Sequence, residues 1–105
     1  MSAISAAISG VGVGSQGVAV AAGNVANLNS DGYRARRLQQ ADLAQGGVRA
    51  TGLTESQEPL APGGSNVDLA TEAVALKTDG VAYKANLKVI QAEQEMLGTA
   101  LDMKA

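Results

Sequence analysis

SNVDLATEAVALKTDGVAYKANLKVIQAEQEMLGTALDMKA, residues 65–105, decides the architecture. Within it Leu69, Ala73, Leu76, Gly80, Tyr83, Leu87, Ile90, Gln94, Leu97 and Leu101 recur at spacings of four and three. That is the period of a coiled-coil seam, kept over more than four heptads. Ala70, Val74 and Val81 form a shorter stripe beside it. Ser65, Asn66 and Asp68 read as the helix start. Ser65 and Asp68 have capping-box spacing, and Asp68 suits the positive end of the helix dipole. Gly80 and Gln94 interrupt the seam, and only the N-terminal segment is long enough to cover it.

That segment, residues 1–29, carries the same period. Ile4, Ile8, Val11, Ser15, Val18, Ala22 and Val25 repeat at four and three and predict a second helix. Gly10, Gly12, Gly14, Gly17 and Gly23 oppose it, each by about 1 kcal/mol relative to Ala. Small residues also let another backbone approach closely, which suits a helix crowded on several sides. A flexible Gly/Ala tail is the other reading. Residues 12–17 match GxGxxG, but that fingerprint needs a preceding strand, a βαβ unit and an acidic ribose partner. Asp31 lies too near, and the chain is too short for the fold.

Bulk properties exclude more than they assign. The chain has 105 residues, so it forms one small domain at most. Its apolar fraction of 46% overstates the core, because about twenty of those residues are alanine and neither Phe nor Trp occurs. The net charge of −2 and pI near 4.9 do not describe a nucleic-acid surface. No Cys and no His occur, which removes thiol chemistry and the commonest general base and metal ligand. No charged residue occurs in the first thirty positions. A secretory signal would open on a basic region, and a membrane span would be richer in Leu, Ile and Phe. Neither a cleaved signal nor direct membrane insertion is expected.

Between the helices lies a short insert, residues 30–64. Asn24, Asn27, Asn29, Ser30, Asp31 and Gly32 form a polar cluster that ends the first helix. Its density of amides suggests buried contacts beyond a simple stop. Residues 33–43 and 48–54, with Gly46-Gly47 between them, predict a two-stranded hairpin that needs a surface to lean on. Arg34, Arg36 and Arg37 form either a solvated face or a partner set for an acidic neighbour. Pro59, Pro62, Gly63 and Gly64 mark a linker. The carboxylates Asp68, Glu72, Asp79, Glu93, Glu95 and Asp102 are scattered along a lysine-containing helix and read as a solvated face. No catalytic constellation, cofactor site or metal site is expected.

Two stretches resemble a known family. Ala22-Gly23-Asn24-Val25-Ala26-Asn27-Leu28-Asn29-Ser30-Asp31-Gly32-Tyr33-Arg34 resembles the N-terminal signature of bacterial flagellar rod and hook proteins, commonly ANNIANxNTxGYK. Ser65-Asn66-Val67-Asp68-Leu69-Ala70-Thr71-Glu72, Tyr83-Lys84-Ala85-Asn86-Leu87-Lys88-Val89-Ile90 and Glu95-Met96-Leu97 resemble the family's C-terminal signature. Gly23 departs from the usual Asn, and Lys77-Thr78-Asp79-Gly80 from a more apolar stretch. The insert is shorter than in usual rod subunits, and the short proximal-rod type is the nearest likeness.

The expectation is a mainly α fold in which N- and C-terminal helices pair as an antiparallel coiled coil around a small β-containing insert. The resemblance implies a non-enzymatic structural subunit of the flagellar basal-body rod. Its partners would be other rod and axial proteins, further copies of itself, and the type III export apparatus. Nucleic acid is not among them. Export would proceed without a cleaved signal peptide, and the destination is the periplasm-spanning rod. The expected assembly interface comprises Ile4, Ile8, Val11, Val18, Val25, Asn24, Asn27, Asn29 and Tyr33. From the C-terminal helix it adds Leu69, Leu76, Tyr83, Leu87, Ile90, Leu97 and Leu101. The alternative is a soluble coiled-coil adaptor or export-related protein that shares these termini.

Overall fold

The computed structural model describes residues 3–104, with the side chain of residue 104 excepted. Residues 1, 2 and 105, at the outer ends of the two expected helices, lie outside the described residues. Four elements follow in order: helix α1 (Ala3–Ala26), strands β1 (Arg36–Asp42) and β2 (Val48–Glu55), and helix α2 (Leu69–Lys104). The molecule is a rod of 68 × 24 × 15 Å. Its long axis is set by α2, whose 36 residues span about 54 Å at the helical rise.

The helices lie side by side and run in opposite directions. Gly10 sits against Asn86, Gly14 against Tyr83, Gly17 against Asp79, and Asn24 against Glu72. Because α1 is shorter, the last turns of α2 extend beyond it, and residues 94–103 are exposed. By length and apolarity α1 would also suffice to cross a membrane.

Each helix start and stop has a local cause. Asp68 caps α2: its carboxylate accepts from the Ala70 N–H at 3.0 Å, and its carbonyl from the Glu72 N–H at 3.0 Å. The capping box expected from Ser65 does not form. Ser65 is buried, donates to the Leu28 carbonyl at 2.6 Å, and accepts from the Val67 N–H at 3.2 Å. It ties the entry of α2 to the exit of α1 instead. At that exit the Asn27 side chain donates to the Gly23 carbonyl at 2.9 Å, satisfying a terminal helix acceptor. Gly32 then turns the chain at φ +77°, where a side chain would be strained.

The expected hairpin is present. β1 and β2 pair antiparallel from Arg36 opposite Glu55 to Asp42 opposite Val48. Gln39 faces Gly52 and Gln40 faces Ala50, so Thr51 is the extra residue of a bulge, with Gly52 at φ +153°. The hairpin leans on the helix pair. The Val48 N–H donates to the Ser9 hydroxyl at 3.1 Å, and that hydroxyl donates to the Ala6 carbonyl at 2.6 Å. Residues 12–17, which match the dinucleotide fingerprint, lie in the middle of α1 with no strand before them among the described residues.

Candidate functional site

The inner ends of the two helices meet in a closed polar cluster. Asn24 from α1 and Glu72 from α2 are both fully buried. The Asn24 amide nitrogen donates to Glu72 Oε1 at 3.0 Å and to the Arg36 carbonyl at 2.9 Å. Its oxygen accepts from the Arg36 N–H at 2.9 Å and from the Tyr33 hydroxyl at 2.9 Å. One side-chain amide thus occupies both backbone groups of Arg36, as a neighbouring strand would. Asn66 takes the N–H one residue earlier, while the Ala35 carbonyl accepts from the Ser56 N–H at 2.8 Å. The Asn66 oxygen accepts from the Ala35 N–H at 2.6 Å, and its nitrogen donates to the carbonyls of Ser56 and Glu58. The two asparagines bracket the root of the hairpin and fix it to both helices.

Arg37 closes the cluster with a bidentate pair to Glu72, at 2.9 Å to Oε1 and 2.5 Å to Oε2. Burial by itself pushes the Glu72 carboxyl up. The hydrogen bonds from Arg37 and Asn24 and the Arg37 charge outweigh it and hold the group below the ordinary carboxylate value. The same hydrogen bond raises the Arg37 guanidinium. Among the described residues no buried side-chain polar atom lacks a partner. Glu72 is therefore a correction: it is not part of a solvated face. Arg37 takes the acidic-neighbour reading, while Arg34 donates to the carbonyls of Ser56 and Glu58. The missed signal was position, because Glu72 lies three residues after Leu69 and four before Leu76.

Along the rest of α1 the line of contact is not the apolar line, whereas on α2 Tyr83 of the apolar line faces Gly14. The line facing α2 is Ala7, Gly10, Gly14, Gly17, Ala21 and Asn24, with Ala7, Gly14, Ala21 and Asn24 buried. Each member precedes a residue of the apolar stripe: Ile8, Val11, Ser15, Val18, Ala22 and Val25. On α2 the facing residues include Glu72, Asp79, Tyr83 and Asn86. A methyl built on Gly10 would collide with the Asn86 amide, and one on Gly17 with the Asp79 carboxylate. The glycines are there to admit polar side chains of α2 at close range.

That offset leaves the apolar stripe of α1 beside the contact. One residue further along a helix is a turn of about 100°. In two helices running oppositely, that step points to the same side of the pair. The residues one step earlier, including Ala6, Val13 and Val20 on α1 and Ala75, Thr78 and Ala82 on α2, point to the other side and line the hollows under the hairpin. The hairpin therefore covers one side, and the apolar residues remain on the side away from it.

Of the residues expected in an assembly interface, Asn24 and Tyr33 join the cluster, and Asn27 serves its own helix end. Asn29 is exposed. Ile8 is 57% exposed, and Leu69, Leu87, Leu97 and Leu101 are also exposed. Ile4, Val11, Val18, Val25, Leu76, Tyr83 and Ile90 are half-buried along the helix pair.

Among curated proteins no match to this chain is found. Residues 63–103 match the family described as flagellar basal body rod FlgEFG protein C-terminal, a structural flagellar component. The matched residues comprise nearly all of α2 and its lead-in, including Ser65, Asn66 and Glu72 of the polar cluster.

Proposed function

We propose that this protein is a structural subunit of the flagellar rod, of the short proximal-rod type. It self-assembles through its terminal helices into a tubular axial structure after type III export, without a cleaved signal peptide. The observation that carries the reading is the side of the helix pair left bare by the hairpin. Apolar residues of both helices run along it, Ile8 and Leu87 among them exposed. Neighbouring subunits would bury Ile8, Val11, Val18 and Val25 together with Leu87, Leu97 and Leu101, at about 1.5–3 kcal/mol for each large side chain fully removed from water. In this reading the chain performs no catalysis. The hairpin sets the orientation of the subunit by occupying the opposite side.

The test is co-sedimentation with purified basal bodies. The wild-type chain is expected in the rod fraction. Leu87→Asp is expected to be absent from it, because an unpaired buried charge costs several kcal/mol. Wild-type protein found only in the soluble fraction would favour an adaptor that shares the axial termini.

A further inference from the structure

Charge on this molecule is segregated in a way that the helix pairing leaves unused. Under the tip of the hairpin, α1, α2 and the connection between the strands surround an open groove of about 930 Å³. Its walls are mostly Ala, Gly and Val, and its two charged lining residues are both acidic, Asp42 and Asp79. Asp79 lies on the floor beside Gly17. Burial pushes its carboxyl above the ordinary value. Among the described residues no ion pair to it forms, and Arg37, which lines a smaller hollow with it, is paired with Glu72.

The complementary feature is on the same chain. Lys77, Lys84 and Lys88 are exposed on α2 at spacings of seven and four, a row about 16 Å long. None has an Asp or Glu three or four residues away, so no pairing along the helix neutralises them. Val74 and Val81 beside them are 65% and 59% exposed. Lys77 and Lys84 each follow a residue of the half-buried line, Leu76 and Tyr83, and so turn away from the hairpin. The groove takes its α2 wall from Thr78, Asp79, Ala82 and Asn86 on the other side of the helix. One copy cannot bring its own lysines into its own groove.

We propose that the lysine row of one copy seats in the acidic groove of a second copy, with Lys84 directed at Asp79 and Val81 packed against the groove's small residues. The contact joins two different surfaces, so it adds copies head to tail, as a ring or as an open filament. It rests on the self-association in the functional reading, and it gives that association a specific contact. It is tested on purified chain alone, so its failure is distinguishable from failure of basal-body recruitment.

Sedimentation velocity at low and high salt tests it. Wild-type chain should associate in a concentration-dependent way at low salt and dissociate at about 1 M salt, where charge screening is nearly complete. Asp79→Asn, and separately Lys77→Gln with Lys84→Gln and Lys88→Gln, should each weaken association at least tenfold while keeping wild-type helicity. Mixing the two variants should restore a heterodimer, because one keeps the lysine row and the other the groove. If Asp79→Asn loses helicity, Asp42→Asn reads the same groove from its exposed rim. Three results would overturn the proposal: a wild-type chain monomeric at every concentration at low salt, association indifferent to both variants, or a mixture that stays monomeric.

Discussion

The two ends of this rod are built on opposite principles. At the inner end, Asn24, Tyr33, Arg37, Asn66 and Glu72 saturate one another and the hairpin root with hydrogen bonds. At the outer end, α2 runs past α1, and Met96, Leu97, Leu101 and Met103 are 60–84% exposed. The inner end is complete within one chain. The outer end offers apolar surface that none of the described residues covers. Holding the helices at a fixed spacing and presenting apolar surface are thus separated along the length of the molecule.

The largest expected effect comes from breaking the complete end. Glu72→Ala should destabilise the fold by about 3 kcal/mol. It leaves the Asn24 amide short of a buried partner and Arg37 without its anion, although Arg37, 38% exposed, can turn toward water. Against a typical total of about 5–15 kcal/mol for a small domain, this should lower the urea midpoint clearly. An unchanged midpoint would show that the cluster does not hold the helices together.

Acid should act on the same end more gently. The folded Glu72 carboxyl titrates below its unfolded value, so between the two the unfolded chain binds more protons. Its contribution is fully present above the unfolded value near 4.5 and is lost as pH falls through the lower folded value. Asp79 has the opposite sign. Its folded carboxyl titrates higher, so stability falls as pH rises from the unfolded value through the folded one. Urea melts from pH 3 to 7 should show a steeper acid loss for wild type than for Glu72→Gln. Asp79→Asn should be the more stable chain at neutral pH, and a less stable one would contradict the assignment of its burial.

The glycines sharpen the comparison along α1. Gly12 and Gly23 have open space where a methyl would go, so Ala at either should stabilise by about 1 kcal/mol. The same change made together at Gly10, Gly14 and Gly17 should destabilise by about 1–3 kcal/mol, because Asn86, Tyr83 and Asp79 must move away. Thermal melts by circular dichroism read the sign. Equal shifts in the two sets would mean that the helices are not in close contact there.

Much of the fold is legible in the residues. The spacing of four and three marks both helices, the Asn-rich cluster and Gly32 end the first, and Gly46-Gly47 between alternating runs marks the hairpin. Those are local signals, set by backbone preference and side-chain period, and they need no partner to be read. What the sequence left open was which line of each helix faces the other. Apolar periodicity points to Ile8, Val11 and Val18, but two lines only about 100° apart differ by a single residue. Tertiary structure selected the line of small residues, because only there can α1 and α2 approach closely enough for Asn24 to reach Glu72 and Arg36 together. The same choice buried a glutamate that looked solvent-facing and left Ile8, Leu69 and Leu87 of the apolar stripes exposed. Burial of a charge depends on an arginine 35 positions away and on a hairpin that brings it there, and no local pattern records that.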